Sequence, residues 1–297
     1  MPPPELPLLV VALGGNALNP PVGDQGYTAE RAAAALAARS LATLAAQGWR
    51  LLVVHGNGPQ VGRLLSNNTD TANLDIHVAQ TQGELGYLLA EALELASGQP
   101  TLALVTRARV DPADPAFGAP TKPIGPLLPT RPAQGPAVQL AGGWRRTVAS
   151  PRPLAVVEEH AIRGLLREQH VIAGGGGGIA LARTAAGSRG LAGVIDKDWM
   201  AARLAIALDA RALVFATDVA GVEDGHGRPG ARLQTRLTVA QARTLLAACL
   251  LDAGSMAPKV ESAVDFVSAT GWPARILHCE ALAHALDSAA PGTLVVP

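Results

Sequence analysis

Three lysines stand out in a chain that otherwise carries its positive charge on arginine. Of the 24 basic residues, only Lys122, Lys197 and Lys259 are lysines, and the other 21 are arginines. Lysine presents a compact charge on a slim stem, whereas arginine presents a broad planar fork. Transfer of a phosphoryl group needs closely placed positive charge and little covalent chemistry from the protein, so it could require lysine. The alternative is that three surface lysines remain by chance.

Two of these lysines lie where a helix is predicted to begin. Lys197 stands between Asp196 and Asp198, and a neighbouring carboxylate would hold its ammonium group in place and charged. Lys259 falls in the first turn of a later helix, where free N–H groups and the helix dipole favour an anion. Lys122 lies in a proline-rich stretch. Together the three residues suggest a cluster of positive charge around a phosphoryl group.

Two glycine- and asparagine-containing turns each follow a buried strand. Glycine permits φ > 0 and lets a ligand approach the main chain, and successive bare N–H groups form a hollow that binds anions. The carboxyl ends of parallel strands face one crevice, so we expect both turns to lie at the same site. The turn residues are Gly14, Gly15 and Asn16 in the first, and His55, Gly56 and Asn57 in the second.

The elements that must position these residues alternate between strand and helix. We predict helices over 28–47, capped by Thr28, and over 74–96, 154–169 and 238–251, the last capped by Thr238. Ser255 is the expected cap of the helix that carries Lys259. The alternation predicts an α/β fold in which helices cover both faces of a mainly parallel sheet, as a three-layer αβα sandwich. Residues 111–153 are rich in proline and glycine without a clear period, and we interpret them as a small protruding lid.

Composition excludes several classes of protein. The 297 residues are 48% hydrophobic with a formal net charge of zero, which argues against a nucleic-acid or membrane-surface partner. Cys249 and Cys279 form no metal-binding or disulfide pattern, and no signal peptide or membrane-spanning run is visible. We therefore expect a globular protein of the cytoplasm. The sequence lacks a Walker A motif and a protein-kinase motif set, and a lone His55 beside glycine is more often a packed residue than a base.

Nine segments in order along the chain carry a family resemblance. They are VVALGGNAL (10–18), HGNGPQVG (55–62), TQGELGY (81–87), VDPADPAF (110–117), PTKPIGP (120–126), GWRR (143–146), GGGGI (175–179), VIDKD (194–198) and GSMAPKVESA (254–263). On these segments the chain resembles the carbamate kinase branch of the amino-acid-kinase family. Other members generally lack the lid, and many of them carry a lysine just before the first Gly-Gly. Here the corresponding residue is Ala12, as the resemblance implies. The resemblance also implies that the lid lysine, Lys122, takes over the role of the missing lysine.

The resemblance also implies roles for individual residues. Lys122, Lys197 and Lys259 would neutralise the transferring phosphoryl group, and Asp198 would organise the charges. An N-terminal lobe (1–187, with the lid inserted at about 111–153) would hold carbamoyl phosphate or carbamate, and a C-terminal lobe (188–297) would hold ATP or ADP. The implied substrate side comprises Gly14, Gly15, Asn16, Gly56 and Asn57, and the implied nucleotide side comprises Thr217, Asp218, Val222 and Met256.

The implied reaction is reversible: carbamoyl phosphate plus ADP gives carbamate plus ATP, within arginine metabolism. Mg²⁺ would accompany the nucleotide phosphates without an assigned protein ligand, and the family implies a homodimer. Three alternatives remain open at this point: another small-acid kinase such as an acetylglutamate or aspartate kinase, a non-catalytic sensor with the same pocket, and an NAD-binding dehydrogenase. The absence of a regulatory extension weakens the aspartate kinase hypothesis, and glycine richness alone supports the dehydrogenase.

Overall fold

A computed structural model describes residues 6–14, 18, 26–67, 73–140, 142–184, 187–224, 231–252 and 254–297. Its helices are α1 (Tyr27–Ala46), α2 (Gly58–Asn67), α3 (Leu74–Ser97), α4 (Glu159–Leu165), α5 (Lys197–Ala207), α6 (Val239–Ala247) and α7 (Met256–Thr270). Its strands are β1 (Leu8–Leu13), β2 (Arg50–His55), β3 (Thr101–Ala103), β4 (Arg107–Arg109), β5 (Lys122–Leu128), β6 (Ala137–Leu140), β7 (Gly143–Val148), β8 (Ala155–Val156), β9 (His170–Ile172), β10 (Ile179–Thr184), β11 (Gly187–Val194), β12 (Ala212–Thr217), β13 (Glu223–Asp224), β14 (Arg232–Leu233), β15 (Arg236–Thr238), β16 (Ala274–His278) and β17 (Thr293–Val296).

The central sheet has eight strands in the order β15-β17-β16-β12-β1-β2-β9-β3. The six strands from β16 to β3 run parallel, and β17 pairs antiparallel with β16. Strands buried on both faces are apolar throughout rather than alternating. In β1, Val10 and Ala12 pack with the core beneath α5, α6 and α7, whereas Leu9, Val11 and Leu13 pack with α1 and α3. The predicted three-layer αβα sandwich is therefore confirmed.

Parallel order brings the expected turns to one edge of this sheet. Leu13 at the end of β1 lies beside His55 at the end of β2 and beside Ala216 near the end of β12. The segment that follows β9 leaves the sheet at the same edge. The ends of β1 and β2 therefore lie at one edge of the sheet, as predicted, whereas Gly15 and Asn16 of the first turn lie outside the described residues.

The lid is more regular than its sequence indicates. Residues 122–148 form a three-stranded antiparallel sheet in the order β5-β7-β6, with a register shift in β5. Pro123 and Pro126 lie in β5, which is an edge strand, so their missing N–H groups need not break the sheet. A small apolar cluster joins this sheet to the helices below it; its members are Val61, Leu65, Leu74, Val78, Ile124, Val148 and Val194.

Several predicted boundaries differ from the structure. The N-cap of α1 is Gly26, without a side-chain hydrogen bond, so the cap predicted at Thr28 is wrong because Thr28 already lies inside the helix. The helix predicted over 154–169 is reduced to α4, because β8 occupies its first residues.

Two other predicted caps have different outcomes. Thr238 caps α6 in a reciprocal pair with Gln241, as predicted. Ser255 occupies the N-cap position of α7, but its side chain makes no capping hydrogen bond.

One backbone contact fixes how closely the lid approaches α2. A Cβ atom on Gly62 would lie 1.8 Å from the Cα of Gly125, and Gly125 has φ +75°. Both residues must therefore be glycine for α2 and β5 to touch through their main chains.

We expect Gly62→Ala to lower the free energy of unfolding by about 1–3 kcal/mol, because α2 or the lid must move to admit the methyl group. The matched control is Gly83→Ala in α3, where no described atom outside the neighbouring helix backbone lies within 4 Å of the added Cβ. That control should raise stability by up to about 1 kcal/mol, since alanine is the better helix former. Urea unfolding of the two variants measures the difference, and equal stabilities would contradict the contact.

Candidate functional site

A cleft of about 160 Å³ lies at the carboxyl edge of the central sheet, between the lid and the two helices α5 and α7. Its walls come from five parts of the chain: the turn after β2, the lid strands, the glycine run after β9, the start of α5 and the start of α7. They include Gly56, Asn57, Gly58, Pro59, Lys122, Pro123, Ile124, Gly125, Arg145, Gly176, Ile195, Asp196, Lys197, Asp198, Gly254, Ser255 and Lys259.

All three lysines of the chain line this cleft, and each contacts a carboxylate. Lys122 Nζ lies 2.7 Å from Asp196 Oδ2. Asp198 holds the other two, with Oδ1 2.5 Å from Lys197 Nζ and Oδ2 3.2 Å from Lys259 Nζ. Three ammonium groups against two carboxylates leave one net positive charge from these five side chains. The cluster is therefore suited to hold an anion.

Local structure explains why these side chains converge. Asp196 is the N-cap of α5, and its Oδ1 accepts a hydrogen bond from the N–H of Asp198 at 2.9 Å. A short acidic side chain at this position satisfies a free N–H of the first turn, so the cap fixes Lys197 and Asp198 there. Lys259 lies one turn into α7 and also donates to the carbonyl of Ser255 at 3.1 Å. The ammonium groups thus sit near the positive ends of two helices.

Burial and neighbouring charge act in opposite directions on these groups. Burial alone would raise the pKa of Asp196, but Lys122 and Lys197 together outweigh it and hold that pKa well below its usual value. Burial lowers the pKa of Lys197, which Asp198 opposes and Lys259 reinforces. Burial also acts to lower the pKa of Lys259, yet Asp198 and Asp196 raise it overall. Asp198 therefore counteracts the effect of burial on two adjacent lysines.

Asn57 is fixed on the opposite wall of the cleft. Its Nδ2 donates to Thr81 Oγ1 at 2.9 Å, and Asn57 is 2% exposed. The glycine run after β9 closes over it: Gly176 has φ +58°, and a Cβ there would lie 2.0 Å from Asn57 Nδ2. Only glycine fits this position, so the run shapes the cleft by removing side chains.

His55 is a packed residue in this structure. It is 1% exposed, and its Nδ1 donates to the carbonyl of Gly56 at 3.0 Å. A Cβ on Gly175 would lie 2.3 Å from His55 Nε2, so the ring is enclosed. Burial lowers the pKa of His55 to about 4, and the ring is neutral at pH 7. These contacts agree with the interpretation of His55 as a structural residue.

The enclosed ring predicts a loss of stability in acid. Because the folded-state pKa of His55 lies near 4 and the unfolded value near 6.5, the unfolded chain binds the proton more readily between these values. The contribution of neutral His55 to the free energy of unfolding is complete above pH 6.5 and is lost as the pH falls towards 4. For His55 this amounts to about 2 kcal/mol between pH 8 and pH 5. Urea unfolding at pH 8 and pH 5 should show a smaller decrease in the free energy of unfolding for His55→Gln than for the wild type. An equal decrease in the two proteins would contradict the assignment of a lowered pKa to His55.

The expectation of bare main-chain N–H groups is wrong for the two described glycines of the turns. Gly14 N–H donates to the carbonyl of Ala216 at 2.9 Å, and Gly56 N–H donates to the carbonyl of Leu13 at 3.0 Å. Both N–H groups continue the hydrogen bonding of the sheet, so they are not available to a ligand. Of the implied substrate side, Gly56 and Asn57 line the cleft, whereas Gly15 and Asn16 lie outside the described residues.

The four residues of the implied nucleotide side have different surroundings in the structure. Met256 lines a second hollow, together with Val219, Gly221, Glu223, Leu251, Asp252 and Ser255, and Ser255 borders both cavities. Thr217 ends β12 and donates to Asp218 Oδ1 at 3.2 Å, and the charge of Asp218 contributes to the raised pKa of Lys259. Val222 is 0% exposed in the core, so its side chain does not line either cavity.

Sequence reasoning missed two charged residues of the cleft. Asp196 was recognised only as a neighbour of Lys197, although it also pairs with Lys122, 74 residues away in the chain. Its position before a helix was a signal for a cap, but the pairing is a tertiary contact. Arg145 lines the same cleft from the lid. Arg145 and Arg146 look equivalent in the sequence. They differ only because successive residues of a strand face opposite sides.

Comparison with known proteins places the chain among kinases. Residues 7–278 match the model of the "Amino acid kinase family". A carbamate kinase of Halobacterium salinarum is 38% identical over 97% of this chain and 98% of its own length. A carbamate kinase of Escherichia coli O157:H7 is 41% identical over 90% of this chain and 92% of its own length. The solved carbamate kinase from Giardia lamblia bound to AMP-PNP has a TM-score of 0.86 at 31% identity and covers 98% of both chains.

Proposed function

Because the chain belongs to the amino acid kinase family, we propose that it moves a phosphoryl group reversibly between carbamoyl phosphate and ADP, with carbamate and ATP as the other pair. The observation that carries this proposal is the pair of contacts made by Asp198, which holds Lys197 and Lys259 on one side of the cleft that Lys122 borders on the other. Carbamate kinases are the similar proteins named above, which favours this reaction over that of an acetylglutamate kinase.

In the proposed reaction the bond between phosphorus and the carbamoyl oxygen breaks, and a bond forms between phosphorus and a β-phosphate oxygen of ADP. Carbamate leaves as an anion, so the protein need not supply or remove a proton. Lys122, Lys197 and Lys259 neutralise the charge on the equatorial oxygens as it develops. Asp198 is a positioning residue for two of these ammonium groups, and Asp196 is one for the third.

The two substrates are assigned to the two sides of the cleft. We assign carbamoyl phosphate to residues 1–187, with Gly14, Gly15, Asn16, Gly56 and Asn57 and the lid at about 111–153. We assign the nucleotide to residues 188–297, with Thr217, Asp218, Val222 and Met256. The second hollow, which Met256 lines next to the lysine cluster, supports the nucleotide side. With its side chain buried, Val222 could contribute there only through its backbone.

Magnesium is proposed to enter on the nucleotide phosphates rather than in a cage of protein ligands. Asp196 and Asp198, the carboxylates that line the cleft, already contact the three lysines. In the part of the chain that the structure describes, no three His, Cys, Asp or Glu side chains are grouped as a metal site needs. When bound, Mg²⁺ would add positive charge to the nucleotide phosphates.

A coupled assay tests the reaction directly. Purified chain is mixed with carbamoyl phosphate, ADP and Mg²⁺, and ATP is measured by luciferase. A reaction without carbamoyl phosphate controls for ATP made from ADP alone, and a reaction without protein controls for chemical background. N-acetylglutamate with ATP serves as the competing substrate pair. Turnover of that pair, without ATP formation from carbamoyl phosphate, would overturn the proposal, and turnover of neither pair would favour a sensor.

Assembly and location extend the proposal. We propose a homodimer, supported by the exposed apolar side chains Leu36 on α1 and Tyr87 and Leu95 on α3, and sedimentation of the intact chain would measure it. We propose the cytoplasm and a role in arginine metabolism, on the basis of the family resemblance and the unpaired Cys249 and Cys279. Within the described ranges, every helix is too short or too polar to cross a lipid bilayer.

A further inference from the structure

Arg145 differs from every lysine of the cleft in having no carboxylate partner among the residues that the structure describes. It lies on β7 of the lid, and it lines the cleft opposite the starts of α5 and α7. Its Nε is buried without a hydrogen-bond partner among the described residues. A buried donor that is left unpaired costs about 1–3 kcal/mol, and more when it is charged. The folded chain therefore carries a guanidinium with one buried donor that no described residue pairs.

The charges of the cleft indicate the kind of partner. Lys122, Lys197 and Lys259 each contact Asp196 or Asp198, so an anion that binds them must share them with a carboxylate. Arg145 raises the net charge of the described cleft from one positive charge to two, without a carboxylate contact of its own. Burial lowers the pKa of Arg145, and no acidic neighbour in the described ranges opposes that shift. A guanidinium offers five donors in a planar fork that matches a phosphate in two parallel hydrogen bonds.

The position of Arg145 indicates which of the two substrates it can contact. It lines the cleft from β7 of the lid, which belongs to the residues assigned to carbamoyl phosphate. The second hollow, which Met256 borders, has no lining contribution from Arg145. An arginine on the lid can therefore reach the smaller substrate without contacting the base or ribose of the nucleotide.

We infer that Arg145 binds the phosphate of carbamoyl phosphate from the lid, and that it sets the affinity for this substrate rather than for ADP. The inference rests on the proposed function, because it names the substrate that the lid arginine recognises. In this arrangement Arg145 provides the first unshared positive charge that the incoming dianion meets, and the three lysines act on the phosphoryl group as it transfers.

The next residue on the strand provides a matched control. Successive residues of a strand face opposite sides. Arg146 pairs with Ile124 and borders two hollows beside Leu65 that Arg145 does not line. Both arginines are partly buried lid residues. Arg145→Ala and Arg146→Ala therefore each remove one arginine side chain from the same strand, but only Arg145→Ala removes a positive charge from the cleft.

The test compares these variants in steady-state kinetics and in binding. Arg145→Ala should raise KM for carbamoyl phosphate about 10- to 100-fold, as the loss of hydrogen bonds to a charged group implies. The KM for ADP should stay within about threefold of the wild type, and Arg146→Ala should leave both values within that margin. Arg145→Lys should recover part of the loss, because it keeps the charge but not the fork. Calorimetry with phosphonoacetamide, in which a methylene group replaces the bridging oxygen of carbamoyl phosphate, should show the same order of affinities without turnover.

Each other result overturns the inference. An unchanged KM for carbamoyl phosphate, equal losses in the two alanine variants, or an equal rise in KM for ADP would each remove the assigned role. A wild-type chain that forms no ATP from carbamoyl phosphate would overturn the proposed function and this inference together. An active wild type with an unaffected Arg145→Ala overturns the inference alone.

Discussion

Replacing Lys197 with arginine is expected to reduce kcat at least about 100-fold, although the charge is preserved, which is the scale found when one donor to a transition state is displaced. Lys197 is 9% exposed, and its Nζ is 2.5 Å from Asp198 Oδ1. The broader guanidinium cannot occupy the same place without displacing Lys259, which shares Asp198. Lys122→Arg should lose activity for a similar reason, because Lys122 Nζ is held 2.7 Å from Asp196.

The measurement is the initial rate of ATP formation at saturating carbamoyl phosphate and ADP. Arg203→Lys serves as the matched control, since Arg203 is exposed on the same helix, α5, and should retain the wild-type rate. Thermal unfolding checks that each variant is folded. If Lys197→Arg and Lys122→Arg both keep rates near that of the wild type, the argument from three lysines among 21 arginines is wrong.

Asp198→Asn is expected to cost about 3–5 kcal/mol of folding free energy, because it leaves two buried ammonium groups without their shared carboxylate. Asp198 is 2% exposed, and both of its oxygens contact a lysine. Inorganic phosphate should raise the unfolding temperature of this variant more than that of the wild type, since a bound anion replaces part of the lost charge. Activity should fall as well, because Lys197 and Lys259 lose the group that positions them.

A surface ion pair supplies the control for this substitution. Asp209 pairs with Arg163, and the Asp209 side chain is 82% exposed, so Asp209→Asn should change stability by less than about 1 kcal/mol. A stability of Asp198→Asn near that of the control, with the same response to phosphate as the wild type, would show that Asp198 does not hold the cluster together.

The sequence was sufficient to predict the layers of the fold and the location of the cleft. Buried strands such as β1 and β2 end at glycine, and parallel order brings their ends together, so local signals determine the site edge. The lysines could be found because the chain uses arginine almost everywhere else. These features depend on residue type and short-range order, which a sequence shows directly.

Long-range contacts and strand register were not accessible in the same way. Lys122 and Asp196 meet only when the lid folds over α5, so their pairing left no local pattern. The regular sheet of the lid was missed because prolines such as Pro123 argue against a strand, and they are tolerated here only at the edge position of β5. The difference between Arg145 and Arg146 likewise depends on which face of β7 turns to the cleft.

The close approach of the glycine run to the turn after β2 limits which substitutions the two segments can accept during evolution. A side chain at Gly175 would strike the ring of His55, and one at Gly176 would strike the amide of Asn57. No single-codon change away from glycine at either place is neutral, so the two segments cannot drift independently, although they are far apart in the chain. Among lineages that share this cleft, a larger residue at 175 is expected only beside a smaller one at 55, and such a pair would be inherited as one unit, whereas position 176 should stay glycine because its φ of +58° strains any side chain.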